Sequence, residues 1–214
     1  MGSLSAPIYL EDGSYLERFT NLDYTLPRGS RFSPISWSFT VGDRQTPINL
    51  GQALHRSLDY LNHSEDQLFA GCGTKVTYRI MADGYREFAK QMNAQRRVRG
   101  QTVPIRRSKV AKQVAQVVEK FIEWASDMSV NPGLRFGPHN ITINDIYLVE
   151  LRQVSPASFQ PILAVRRPPP PLEMLDLYPQ ASISPVDVVG DLTDFTDTWQ
   201  SLGVFSDSDY YGAL

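Results

Sequence analysis

Residues 34–167 are predicted to fold as one α+β domain, with helices on one face of a mixed or mostly antiparallel sheet and elements in the order β-α-β-α-α-β-β. Three observations carry that prediction. Residues 35–41 alternate apolar and polar side chains, residues 110–128 repeat apolar side chains at a helical period, and residues 141–166 read as two strands around a turn. Residues 1–33 read as an irregular, turn-rich N-terminal arm, and 168–214 as a flexible proline-rich spacer and acidic aromatic tail. A chain of 214 residues can hold one such domain and an extension.

In the first strand Ile35, Trp37, Phe39 and Val41 alternate with Ser36, Ser38 and Thr40, so one face is buried and one is polar. Thr46 and Pro47 then fit an N-cap and first helical residue, and Leu50, Leu54, Leu58 and Leu61 share a stripe that predicts a helix of about four turns. Val76, Tyr78 and Ile80 alternate with Lys75, Thr77 and Arg79 as a second strand. Asp83 and Gly84 open a second helix carrying Tyr85, Phe88 and Met92, which Gly100 ends and Pro104 keeps from continuing. A third helix, capped by Ser108, carries Val110, Val114, Val117, Phe121, Trp124 and Met128 opposite Lys112, Glu119 and Glu123. After the break at Asn131, Pro132 and Gly133, residues 141–154 and 159–166 form a hairpin around the turn 155–158. Pro161 cannot donate to a ladder and places the last strand at an edge.

Charge is segregated along the chain. All 21 Lys and Arg lie in the first 167 residues with 15 of the 23 acids, and the remaining eight carboxylates follow Pro168 with no base among them. Such asymmetry speaks of partners and not of fold. Between Phe88 and Val118 stand Lys90, Arg96, Arg97, Arg99, Arg106, Arg107, Lys109 and Lys112, with no acid. Guanidinium groups suit bidentate phosphate recognition, so Arg96, Arg97, Arg99, Arg106, Arg107 and Lys109 are the candidate phosphate or nucleic-acid contacts. A solvated basic loop explains them more simply, because Arg96, Arg97 and Arg99 fall in the last turn of the expected helix, where cations favour the dipole with no ligand. Docking of the acidic tail is a third reading. The stretch 89–116 has no aromatic platform for stacking single-stranded bases.

Pro168, Pro169, Pro170 and Pro171 should extend as polyproline II, as a spacer or as a ligand for an aromatic groove on a protein partner. Beyond them Leu192, Phe195, Trp199, Leu202 and Phe205 interleave with Asp191, Asp194, Asp197 and Asp207. This peptide is too charged to hold its own core but suited to fold onto a partner, with Phe195, Trp199 and Phe205 as anchors.

Catalytic and metal signatures are thin. Cys72 lies between Gly71 and Gly73, nine residues after His63, and reads as a small thiol in a tight turn; as the single cysteine it forms no internal disulfide and fits a reducing compartment. His55, His63 and His139 lack metal-ligand spacing, no phosphate loop follows Gly73, and Glu150 is the one carboxylate inside an apolar strand. No cofactor or metal is expected. There is no basic or apolar leader and no run able to span a bilayer; Gly2 lacks Ser or Thr at position 6, and the Asn62 and Asn140 glycosylation spacings read as chance. The leading expectation is a non-enzymatic interaction protein of the cytoplasm or nucleus that offers its acidic-aromatic peptide to a protein partner. The alternative is a viral or nucleoprotein-particle structural protein, matrix- or capsid-like, that binds RNA through 90–112 and self-assembles as a homo-oligomer. An enzyme with an unrecognised site is third.

Overall fold

Hydrophobic alternation over 146–167 closes the longest hairpin of the computed structural model, which describes residues 7–18, 35–128 and 134–169. In chain order the elements are β1 (Ile8–Tyr9), β2 (Tyr15–Arg18), β3 (Ser36–Ser38), β4 (Thr40–Val41), β5 (Thr46–Asn49) and α1 (Leu50–His55). They continue with β6 (Lys75–Ile80), β7 (Phe88–Asn93), β8 (Gln95–Val98), β9 (Gln101–Pro104), α2 (Arg107–Ser126), a 3-10 turn (Ile143–Asp145), β10 (Ile146–Ser155) and β11 (Ser158–Arg167).

β10 and β11 pair antiparallel around Pro156 and Ala157, with a bulge between Leu148 and Glu150. On the far side of β10 lie β3 and β5, and β4 pairs with β5. On the far side of β11, β6 pairs in parallel at Ser158 and Phe159 while β2 pairs antiparallel from Ala164 to Arg167. β7 extends β6 and β1 extends β2, giving one mixed, mostly antiparallel sheet among the described residues. β8 and β9 form a separate two-stranded ribbon.

β11 is therefore not the edge strand that Pro161 suggested. Pro161 is buried between the β6 and β2 pairings, so its missing N–H deprives neither ladder of a bond. Residues 8–18 also depart from the expected irregular arm. They form a hairpin on the sheet, tied at Asp12 by Arg166 and by the Ser14 N–H and hydroxyl, which hold the Asp12 carboxyl below its usual range.

α2 follows its sequence pattern. Val110, Val114, Val117 and Phe121 are fully buried against β6, β7, α1 and the 3-10 turn. Ala111, Ala115 and Val118 are buried too, so the apolar face is wider than one stripe. Each large side chain removed from water contributes about 1.5–3 kcal/mol. Two aromatic groups fill the core. Phe121 meets Phe136 at 5.1 Å between ring centroids and Tyr85 and Phe88 at 5.8 Å each, and Phe69 meets Phe159 at 4.6 Å. The Tyr78 hydroxyl donates to Gln113 Oε1 at 3.0 Å, and Gln113 Nε2 donates to the Asn93 carbonyl at 2.9 Å. Burial pushes the Tyr78 phenol far up, so it remains a donor.

Two expected helices are corrected. Thr46 and Pro47 lie in β5, Asn49 caps α1 by accepting from the Gln52 N–H at 3.0 Å, and the helix stops at His55. Leu58 and Leu61 are still buried, from a loop. The helix expected to open at Asp83 and Gly84 and to end at Gly100 is absent, and residues 88–104 form β7, β8 and β9 instead. Arg99 and Gly100, with φ of 48° and 83°, make the two-residue turn of the ribbon.

Where α1 crosses the 3-10 turn, a Cβ on Gly51 would stand 2.0 Å from Asn144 Oδ1 and 3.2 Å from Asn144 Cα. Gly51→Ala is expected to destabilise the fold by about 1–3 kcal/mol in urea melts. Pairing it with Asn144→Gly should recover only part of the loss, because the backbone contact remains.

Candidate functional site

α2 starts with three cations and no acid. Arg106 is its N-cap without a side-chain cap bond, Arg107 and Lys109 follow in the first turn, and Ser108, expected as the cap, lies inside that turn. The helix dipole opposes cations here by a few tenths of a kcal/mol each. The loop before α2 relieves part of this, because the Ser64 and Asp66 carbonyls accept from the Ser108 and Arg107 N–H groups at 3.0 and 2.8 Å. Glu65 pairs with Arg106, and Asp66 pairs with Arg107 at 3.2 Å.

Arg107 is a structural residue. Its side chain is 12% exposed, donates to the Ser38 carbonyl at 2.8 Å and lies 5.8 Å from the Phe39 ring centroid. It does not join the remaining candidates, and Arg106 is half engaged by Glu65.

Two of the other candidates, Arg96 and Lys109, meet Arg106 at a cleft of about 720 Å³ between the α2 N-terminus, β7 and the base of the β8–β9 ribbon. Lys75, Arg96, Arg106 and Lys109 line it with Gln91, Asn93, Gln95, Ser108, Gln113 and Gln116, over Met92 and Ile105. Among the described residues no carboxylate lines it. Among the described residues Lys75, Arg96, Arg97, Arg99 and Lys109 form no ion pair, and Arg96 Nε is buried without a hydrogen-bond partner. Arg97 and Arg99 project beyond the cleft on the ribbon, exposed. The dipole explanation for Arg96, Arg97 and Arg99 disappears with the helix that was expected to hold them.

The sequence had no signal for Lys75 or the glutamines. Lys75 enters the site because β6 pairs with β7 in a register that sets it opposite Asn93. With four cations, several amide donors and no aromatic side chain, the cleft can neutralise and hydrogen-bond oxyanions but cannot stack a base.

A larger cleft of about 920 Å³ lies between β1 and β5, lined in part by Tyr9, Tyr60 and Tyr147. Among its charges Arg44 pairs with Glu11 at 2.7 Å and Arg166 with Asp12, while Asp43 adds a carboxylate to its lining. Cys72 is half-buried with its Sγ 3.5 Å from the Pro156 carbonyl, and burial pushes its thiol up, away from the reactive thiolate. Glu150 is paired with Arg152 at 3.3 Å. Among the described residues no three His, Cys, Asp or Glu side chains gather as a metal site, and no helix is long and apolar enough to cross a membrane. Pro168 and Pro169 are exposed at the end of β11; Pro170, Pro171, Phe195, Trp199 and Phe205 lie outside the described residues.

Comparison with protein-family models, with characterised proteins and with solved structures finds no match to this chain.

Proposed function

We propose that the folded body is a non-enzymatic nucleic-acid-binding module that holds the sugar-phosphate backbone in the cleft at the start of α2. The observation that carries this reading is that, among the described residues, Lys75, Arg96 and Lys109 form no ion pair yet converge on a cleft lined by no carboxylate, with Lys109 in the first helical turn, where the dipole disfavours a cation. Residues that folding alone would select against at that position are accounted for by an anionic ligand. The lack of aromatic side chains in the cleft directs contact to phosphates, with sequence-tolerant binding at this surface.

The test is a titration of full-length protein against labelled RNA and DNA at several salt concentrations between about 50 and 200 mM. The logarithm of the association constant should fall linearly with the logarithm of salt, with a slope near −0.9 per phosphate neutralised on a duplex and near −0.7 on a single strand. Binding that is absent at the lowest salt contradicts the proposal. Capture of a protein partner by Phe195, Trp199 and Phe205 rests on the sequence alone and is a separate proposal.

A further inference from the structure

The β8–β9 ribbon stands apart from the main sheet, and its outer half is exposed on both faces. Residues 97–102 are all solvent-exposed, whereas Gln95, Arg96, Val103 and Pro104 at its base are half-buried. Two-stranded hairpins gain little stability alone, so burial does not account for this one's extension. The register pairs Arg97 with Thr102 on one face and Val98 with Gln101 on the other, and the turn sets Arg99 at the tip. No acid interrupts the ribbon. Val98, 39% exposed, is one of the few large apolar side chains given to solvent among the described residues.

We propose that this ribbon enters the major groove of double-stranded DNA, with Arg97, Arg99 and Gln101 addressed to base edges and Val98 to a thymine methyl. The inference rests on the phosphate-binding reading, since the cleft at the ribbon's base would hold the flanking backbone. Dimensions select the groove. The exposed outer half, two residues of each strand and the turn, extends about 7 Å, within the roughly 8.5 Å depth of the major groove, whose width of about 12 Å admits a two-stranded ribbon. The minor groove, at about 6 Å, does not, and the major groove of A-form RNA is too narrow for side chains to read. The side chains match the code exposed there: arginine spans guanine O6 and N7, glutamine spans adenine N6 and N7, and an apolar group meets the thymine methyl.

The experiment uses full-length protein with random-sequence duplex DNA, single-stranded DNA of the same composition and double-stranded RNA. The duplexes retained after repeated selection are probed with dimethyl sulfate, which reports guanine N7 in the major groove. Selected duplex should bind at least about tenfold tighter than double-stranded RNA, with protected N7 positions. Arg97→Lys keeps the charge but loses the bidentate fork. It should remove the protection at the guanine Arg97 addresses and relax the sequence preference at that position while leaving the salt slope unchanged; Lys109→Ala should weaken all sequences alike and lower the slope by about one. Arg97 on the ribbon and Lys109 on α2 are both exposed, so circular dichroism should show both variants folded. Salt-dependent binding with unprotected N7, equal for duplex and single strands, overturns the ribbon assignment while leaving the phosphate site standing. Absence of binding to every probe overturns both.

Discussion

Replacing Lys75, Arg96 and Lys109 together by glutamine is expected to weaken duplex binding on the order of a hundredfold at about 0.1 M salt, and to reduce the salt slope by about three. The three side chains come from β6, β8 and the first turn of α2, and converge on one cleft without a carboxylate neighbour. Each neutralises one phosphate and releases its counterion, so their effects should add in the slope. Removing the same charge from the exposed Arg56, Arg86 and Arg135 separates a local site from the field of the whole body. That control should leave the slope nearly unchanged. Equal losses from the two triple variants would mean that net charge, and no particular cleft, drives association.

The largest effect on stability is expected at Phe121. Its ring is fully buried and meets Tyr85, Phe88, Trp124 and Phe136, joining α2 to β7 and to the segment before the 3-10 turn. Phe121→Ala removes apolar surface and leaves a cavity between rigid rings, at a cost of about 3–5 kcal/mol. For a domain whose whole stability is about 5–15 kcal/mol, the urea midpoint should fall steeply at unchanged slope. Trp124→Ala, at the half-buried margin of the same group, should cost clearly less. A smaller loss at Phe121 than at Trp124 would place the centre of the core elsewhere.

The parts of the fold legible in the sequence are those where only one period fits. The apolar residues of α2 recur over five turns at helical spacing, which no strand reproduces, and the β10–β11 alternation brackets a Pro-Ala turn. Phe88 and Met92 were ambiguous, because four residues apart is one face of a helix and also one face of a strand. Lys90 lies between them on the same strand face at the sheet margin, and hid the strand pattern. Gly100 misled for a related reason. A positive φ serves a helix C-cap and a hairpin turn equally, and only the pairing of Arg97 with Thr102 decides between them. The leucines at 58 and 61 were legible as core but not as loop, because burial leaves the same residue types in either conformation.

The basic segment of the candidate site was legible as composition, and its internal division was not. Arg106 and Arg107 lie within three residues of Lys109 in the sequence, yet Glu65 and Asp66 of a distant loop engage the first two, while among the described residues the third forms no ion pair. Arg107 further serves as a half-buried tie to Ser38 and Phe39. Those are contacts between distant segments, outside the reach of any local pattern.

The most direct measurement is photo-crosslinking of labelled nucleic acid to the full-length protein at low salt, with the attached peptides identified by mass spectrometry. Attachment is expected at Lys75 and within residues 91–97 and 106–116, which include Arg96 and Lys109. Attachment confined to the cleft between β1 and β5, or spread evenly over the exposed cations, contradicts the assignment of the phosphate site to the start of α2.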